Sequence, residues 1–441
     1  MASKMLRSVA RFVRSWLFAS VLALPTTVAA APSAASSIGT RLEDAVHWAL
    51  TRNERGKISD LSVLVADAAV ERARAGFLPV VTALGPDQQH AYAATDKSPN
   101  NIGNASLTVS QPIINASAYP LYSQAKNLAK AQVAQNVDDK RLLAFTAATA
   151  FFAVLNAQDV AQAAQEQLDT AKANLADTQA RTEAGLNSTN DVTRAHVDTA
   201  SAAREVEIDK GALDNSLVQL EFVVNSPVVD PLIAPSATLS AAEQPIGAIA
   251  PLVSFALTHR PDVVASKYAA LAAHDFAGEP LLRIVPTLTL QGQVTGTTNP
   301  ASSGRWSDEV LQATLAWTLY DAGVRYADKH SRDAQAQITD LSLAQLARSV
   351  ESQIRGAIAL LAAAQAAFGV AQDAVAASRQ SVEETAILYR QGLAKAIELV
   401  DANDQRFLAE VNSASAEFAV AQTYLSLRQA LGLGPLEDNR K

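Results

Sequence analysis

The sequence predicts a mainly α-helical chain with membrane β-strands, built from one unit written twice: a helix, two strands and a long coiled-coil hairpin. Three observations carry this. Prolines are absent from residues 121–226 and 301–434, although the 441-residue chain has 17. Apolar residues inside those windows recur every seven positions. A single offset of 207 residues aligns the first half with the second.

A helix interior excludes proline, which lacks the N–H and clashes with the preceding turn, so each window reads as long helix. Ile354, Leu361, Phe368, Val375, Val382 and Tyr389 form one seven-residue seam. Ala357, Ala364, Ala371, Ser378 and Thr385 follow three positions after the first five. The earlier window repeats the pattern with Ala147, Val154, Ala161, Leu168 and Leu175, followed by Ala150, Ala157, Ala164, Ala171 and Thr178. A seam that pairs a large with a small residue is a coiled-coil surface built for close helix approach. Each window breaks once, at Gly185 and at Gly392. Glycine after a long periodic run is a helix C-cap signal, because it takes the left-handed conformation cheaply. The outgoing arms are predicted over about 121–184 and 326–391. At 1.5 Å per residue they are on the order of 100 Å long. Return arms follow near 190–224 and 396–432.

The offset is Gly392 minus Gly185, or 207. It also maps Asp191 onto Glu398, Ala195 onto Ala402, Pro79 onto Pro286, and Ala49-Leu50-Thr51 onto Ala256-Leu257-Thr258. One register held over so many residues indicates tandem duplication. The predicted organisation is a signal peptide over 1–30, a first repeat over 31–224 and a linker over 225–248. A second repeat spans 249–435 and a tail 436–441. Each repeat opens with a helix, about 41–76 and 249–283. Strands follow at about 77–113 and 285–320, and then the hairpins 121–224 and 326–432.

The N-terminus has the three parts of an export signal: Lys4, Arg7, Arg11 and Arg14, an apolar run from Trp16 to Leu24, and Val28-Ala29-Ala30 before the cut. The mature chain is therefore expected outside the cytoplasm. No later stretch carries 18 consecutive strongly apolar residues, so a membrane crossing has to use strands. Strand alternation is clean in the second repeat. Leu288, Leu290, Gly292, Val294 and Gly296 share one side, and Leu311, Ala313, Leu315, Trp317 and Leu319 another, joined by a loop from Thr298 to Asp308. In the first repeat Ala105, Leu107 and Val109 alternate, while the partner near 77–93 alternates poorly. Four strands of about ten residues suit a bilayer but cannot close a barrel, so oligomers are required. Two chains would supply eight strands and three would supply twelve. Tyr119, Tyr122, Trp317, Tyr320 and Tyr326 gather at the strand–helix junctions, where an interfacial girdle would lie. The alternative is aromatic packing at an ordinary sheet–helix junction.

Composition excludes several classes. Net charge is −8, so no basic surplus exists for nucleic acid. Cysteine is absent, which removes disulfides, thiol catalysis and Cys-ligated zinc. The six histidines (His47, His90, His196, His259, His274 and His330) are scattered, and no hydrolase, zinc-protease or phosphate-loop motif occurs. The expectation is no enzyme, no catalytic or metal site and no cofactor.

These residues resemble the TolC family of outer-membrane efflux and secretion channels. The resemblance spans the mature chain and rests on several motifs. They are Ala256-Leu-x-x-Arg-Pro-Asp-Val263, Trp317-Thr-Leu-Tyr-Asp-Ala-Gly323 and Tyr389-Arg-Gln-Gly-Leu-Ala-Lys-Ala-Ile-Glu-Leu-Val-Asp-Ala402. It implies a homotrimer with a 12-stranded β-barrel in the outer membrane and an α-helical barrel crossing the periplasm. It implies a periplasmic adaptor (membrane fusion) protein and an inner-membrane transporter of RND, ABC or MFS type as partners, besides outer-membrane lipid. The cargo would be small molecules, metal ions or proteins. The resemblance places aperture acids at Glu398 and Asp401, an aperture-closing contact at Tyr389, and adaptor-docking tips at Ala184-Gly185-Leu186 and Gln391-Gly392-Leu393. Read without it, acids spaced three apart at a helix start answer the helix dipole, and glycine tips are plain caps. Two departures stand out. Gln111-Pro-Ile-Ile-Asn-Ala-Ser117 lacks the usual glycine pair, and Ala394, beside Lys395, stands where some members carry arginine. The competing class is a soluble periplasmic coiled-coil adaptor or scaffold, which needs the hairpins but no lipid-facing strands.

Overall fold

Two helical hairpins dominate the chain because its proline-free segments run as uninterrupted helices. The computed structural model describes residues 39–91, 100–186, 188–228, 231–244, 246–297 and 305–436. The expected signal peptide, part of the 298–308 loop and most of the expected tail lie outside them. Thr40–Lys441 forms one compact unit. In order it contains β1 (Thr40–Arg41), α1 (Leu42–Arg52), α2 (Glu54–Arg74), β2 (Val80–Ala91), β3 (Asn100–Ile114), α3 (Ala118–Glu183) and α4 (Thr189–Val224). Then come β4 (Leu232–Ile233), α5 (Ser236–Ala242), α6 (Ile249–His259), α7 (Pro261–Leu282), β5 (Thr287–Thr297), β6 (Ser307–Ala316), α8 (Val324–Arg390) and α9 (Ala396–Leu431). The outgoing arms α3 and α8 have 66 and 67 residues, and the return arms α4 and α9 have 36 each.

Every member of the two heptad seams is buried or half-buried in α3 and α8. The 207-residue offset also relates the two cores. Leu143, Ala147 and Val154 of the first core answer to Val350, Ile354 and Leu361 of the second. Leu220 and Val224 answer to Leu427 and Leu431, and Ala49 to Ala256. Stretches of α3 and α8 reach mean hydropathies of 1.3 and 1.6, enough by length and composition to span a bilayer. Runs of Ala supply much of that value.

The opening helix of each repeat differs from expectation: it is two helices. Asn53 interrupts the first and Arg260 the second, both with extended backbone (ψ 140 and 125). Pro261 disfavours the α conformation at the residue before it, and Asn53 caps α2 by accepting from Arg55 N–H at 2.9 Å. The break serves the return arm. Asn53 Nδ2 donates to Val223 O at 2.7 Å, and Arg260 Nη1 donates to Ala430 O at 2.9 Å. Val223 and Ala430 are equivalent under the offset, as are Asn53 and Arg260. The next caps are equivalent too: Asn225 (φ 50) and Gly432 (φ 82) end α4 and α9 in the left-handed region.

The four long strands form one antiparallel sheet in the order β2-β3-β5-β6, so the repeats join through β3 and β5. β2 alternates poorly in sequence because the register slips between Leu84 and Asp87, at Gly85-Pro86. β6 starts and ends earlier than expected. Ser307–Val310 are already paired, and Trp317 to Leu319 have left the ladder. Trp317 Nε1 donates instead to Ile284 O at 2.9 Å, and Arg325 takes the Thr318 and Leu319 carbonyls. The 225–248 segment is more than a linker. It contributes β4, which pairs in parallel with β1, and the short α5.

A Cβ at Gly432 would lie 2.6 Å from Arg260 Cγ and 3.0 Å from its Cα, in a backbone conformation that L-residues rarely adopt. Gly432→Ala is therefore expected to destabilise the fold by about 1–3 kcal/mol. Thermal unfolding of the purified protein measures it, and an unchanged midpoint would contradict this account of the α9 terminus.

Candidate functional site

Each hairpin turns on one left-handed glycine, Gly185 at φ 77 and Gly392 at φ 75. Leu186 N–H reaches back to Arg181 O at 2.9 Å, and Leu393 N–H to Leu388 O at 2.9 Å. These bonds, with Ala184 N–H to Ala180 O and Gln391 N–H to Ile387 O, satisfy the last carbonyls of α3 and α8. Leu186 and Leu393 stay 73% and 72% exposed, so each tip carries an apolar knob in water. The return arms start with equivalent acids. Asp191 accepts from Ser188 N–H at 3.0 Å, and Glu398 from Lys395 N–H at 3.4 Å. The capping explanation of Glu398 thus describes a real bond.

Glu398 and Asp401 are exposed, whereas Asp404, three residues on, is half-buried. Asp404 accepts from Gln167 Nε2 of α3 at 2.9 Å. Burial, followed by the nearby Asp401 charge, holds its carboxyl above the ordinary range. Tyr389 is only 6% exposed. The Arg181 guanidinium lies 4.5 Å from its ring centroid and donates to Tyr389 O at 3.3 Å. Asp177 fixes the same guanidinium at 2.9 Å. The end of α3 therefore grips the end of α8. Tyr389 shares a cavity with the first turn of α9, but Glu398 and Asp401 do not line it. Sequence reasoning missed Arg181, which lies 208 positions from Tyr389 in the chain.

The junction aromatics do not form one cluster. Tyr119 and Tyr122 pack on Phe77 at 4.9 and 6.0 Å between centroids. In the second repeat Trp317 (57%), Tyr320 (84%) and Tyr326 (59%) are exposed. Trp306, at the far end of β6, is 56% exposed and was not singled out by sequence. The second junction uses Ala322 (φ 55) and Gly323 (φ 86), held by Asp321, which accepts from Gly323 and Arg325 N–H. The first junction manages without glycine because Ser117 stays right-handed (φ −68) while Asn115 Nδ2 donates to Gly76 O. His196 is exposed on α4. Among the described residues, no three His, Asp or Glu side chains converge as a metal site would require.

With this geometry in place, the comparisons with known proteins are decisive. The family model described as "Outer membrane efflux protein" matches residues 45–226 and again 252–433. The chain belongs to this family. The two matched segments start 207 residues apart, at 45 and 252. The chain is 25% identical over 394 residues to the outer membrane protein TolC of Escherichia coli (strain K12), covering 83% of this chain and 77% of that protein. It shares the fold of the solved CusC structure, with a TM-score of 0.80, 17% identity and 89% and 92% of the two chains covered. The open state of the Neisseria gonorrhoeae MtrE outer membrane channel gives 0.78, 19% identity and 91% of each chain. As a family member the chain is an outer-membrane channel of tripartite efflux systems. It resides in the outer membrane, extends into the periplasm, and has a transport role that is not enzymatic. The soluble adaptor alternative is set aside.

Arg181→Met keeps the length of the side chain and removes its charge. Loss of a partly buried cation–π contact worth about 0.5–2 kcal/mol should loosen the α8 tip. Single-channel recording in planar bilayers is expected to show more frequent openings, and native-like gating would contradict the grip.

Proposed function

We propose that three copies of this chain close a 12-stranded outer-membrane barrel, continued into the periplasm by a barrel of the helical hairpins. The observation that carries this reading is the sheet's two-faced composition. Residues paired across an antiparallel ladder point to the same face. One face carries Val81, Val109, Gly292 and Leu311 in one row, Ala83, Leu107 and Val294 with Glu309 in another, Gln111, Leu290 and Ala313 in a third, and Ile114, Leu288 and Leu315 in a fourth, so it is mainly apolar. The opposite face is mainly polar, with Thr82, Thr108, Gln293 and Val310 in one row, and Val80, Ser110, Gln291 and Gln312 in another. Leu311 and Leu315 are 78% and 60% exposed. Apolar-out, polar-in alternation is what a water-filled barrel in lipid requires. Trp306 and Trp317 bracket β6. Eleven steps at about 3.3 Å, tilted by about 45°, set them roughly 26 Å apart in height, close to the apolar band of such barrels. β2 and β6 are open edges, and lipid cannot satisfy their backbone groups, so each edge needs a neighbouring protomer.

The two halves, 31–224 and 249–435, are on this reading a tandem duplication joined by 225–248. The repeated family match and the equal arm lengths support it. The exposed leucines at Gly185 and Gly392 make the tips docking points for a periplasmic adaptor, which links the channel to an inner-membrane transporter of RND, ABC or MFS type. Tyr389 closes the periplasmic aperture, and the exposed Glu398 and Asp401 form carboxylate rings there that favour cations. Small molecules, metal ions or proteins are its cargo.

Because the chain lacks cysteine, introduced pairs report cleanly. Cysteines at Thr82 on β2 and Thr314 on β6 sit at matching depths near the helix-side ends of the two edge strands. A short bis-maleimide is expected to give covalent trimers in outer-membrane fractions; monomers alone would refute edge-to-edge closure. Glu398→Ala with Asp401→Ala should reduce cation selectivity, read as a reversal-potential shift toward zero under a salt gradient. An unchanged potential would remove these acids from the aperture.

A further inference from the structure

A cavity of about 350 Å³ lies between the two hairpin tips and plays no part in the reading above. Its size falls within the small-molecule range of about 300–1,000 Å³. Val197 of α4, Ile397, Leu399 and Val400 of α9, and Tyr389 of α8 give it largely apolar walls. Two carboxylates, Asp191 and Asp198, and the Arg194 guanidinium interrupt them. Asp198 is half-buried on α4 and, among the described residues, has no hydrogen bond or ion pair.

The surroundings leave that carboxylate short of positive charge. Burial, and then Asp404 across on α9, push the Asp198 carboxyl up. Arg194 lines the same cavity one turn earlier on α4, but it is exposed and makes no ion pair with Asp198. Asp191 is engaged in the α4 cap. From α3 come the neutral Asn174, whose buried Nδ2 has no partner, and Thr178. Gln167, 6% exposed, donates to Asp404 and leaves its own Oε1 without a partner. Behind the lining, α9 carries the acids Asp401 and Asp404, Asn403 with an unpartnered buried Oδ1, and Arg406, whose Nη2 donates to Thr170 and whose buried Nε is unpartnered. Asp198 thus faces the cavity with no cation paired to it, and a part-buried carboxylate left unpaired is costly.

Ligand classes separate on these grounds. An anion meets Asp198 and Asp404. A neutral apolar guest fills the walls and leaves Asp198 unpaired. A bare metal ion finds no three convergent acidic ligands and gains nothing from the apolar walls. An organic ammonium satisfies both halves, its N–H groups on Asp198 and its hydrocarbon against Val197, Ile397 and Val400. We infer that the cavity between the hairpin tips is a binding site for an organic ammonium ion with an apolar body. A guest seated there touches the first turns of both return arms and so ties the two hairpins of one chain together.

The test uses the full-length protein in detergent and three probes of one shape: 4-phenylbutylammonium, 4-phenylbutanol and 4-phenylbutanoate. Calorimetric titration at neutral pH is expected to rank them in that order. The ammonium should bind about tenfold or more tightly than the alcohol, as expected of a charge-assisted hydrogen bond in a partly buried site. In the native protein ammonium affinity should fall as pH drops through the raised range of Asp198, because protonation removes the charge, while alcohol affinity stays constant. Asp198→Asn should bring the ammonium down to the level of the alcohol and leave the alcohol unchanged. Ala396→Phe, which fills the cavity from the start of α9, should abolish binding of both. Equal affinity for ammonium and alcohol, or an ammonium preference without pH dependence, overturns the site in the unmutated protein. An ammonium preference that survives either substitution overturns it as well.

Discussion

One hydrogen bond, made twice, sets the geometry of this chain. A side chain at a helix break donates to the second-last carbonyl of a return arm: Asn53 to Val223, and Arg260 to Ala430. Backbone carbonyls at a buried helix end need partners, and here they are supplied by an element far away in sequence. The bond explains why the opening helix of each repeat is split where it is. It also explains why α4 and α9 end on left-handed residues, since the chain must turn away directly beneath the donor. At Gly432 the donor is so close that only glycine fits. Both return arms are clamped at their bases in the same way and have 36 residues each.

The second constraint comes from what the single chain leaves uncovered. The four-stranded sheet has an exposed apolar face and two open edges, and α8 buries only 17% of its most apolar stretch. The abundance of alanine permits this. Alanine lets helices approach closely at low entropic cost, so a wall one helix thick can hold together through seams rather than a broad core. Aromatics are only 5% of residues, and several of them, such as Phe145, Phe151 and Phe152, sit in the first core. The low aromatic content and the long proline-free windows are two aspects of one design, long helices that pack through narrow seams.

Much of this was legible in the sequence because it depends on local rules. Proline exclusion, the seven-residue seam and glycine caps act over a few residues each, and they located both hairpins within a few positions. The split at Arg260 was readable from Pro261, whereas the one at Asn53 was not, since asparagine there acts through Val223, 170 residues away. β2 was expected near 77–93 but alternates poorly, because the slip at Gly85-Pro86 shifts the alternation by which a strand is recognised. The site divided the same way. Asp191 and Glu398 announce themselves as helix-start acids. Arg181 carries no local sign that its guanidinium covers Tyr389.

That contact also shows where the two halves stop being equivalent. Under the 207-residue offset Tyr389 corresponds to Thr182 and Arg181 to Leu388. The second repeat therefore has the ring without the cation, and the first has the cation without the ring. The bonds that hold the scaffold, at Val223 and Ala430, are shared by both repeats; the contact at the tips exists only between them. A symmetric pair of hairpins would let both move alike. This one ties the outgoing arm of the second hairpin to that of the first, so displacing α8 at the tip costs a cation–π contact that displacing α4 does not. Moving either outgoing arm at its tip breaks the same contact, so the ends of α3 and α8 are coupled beside the acids of α9.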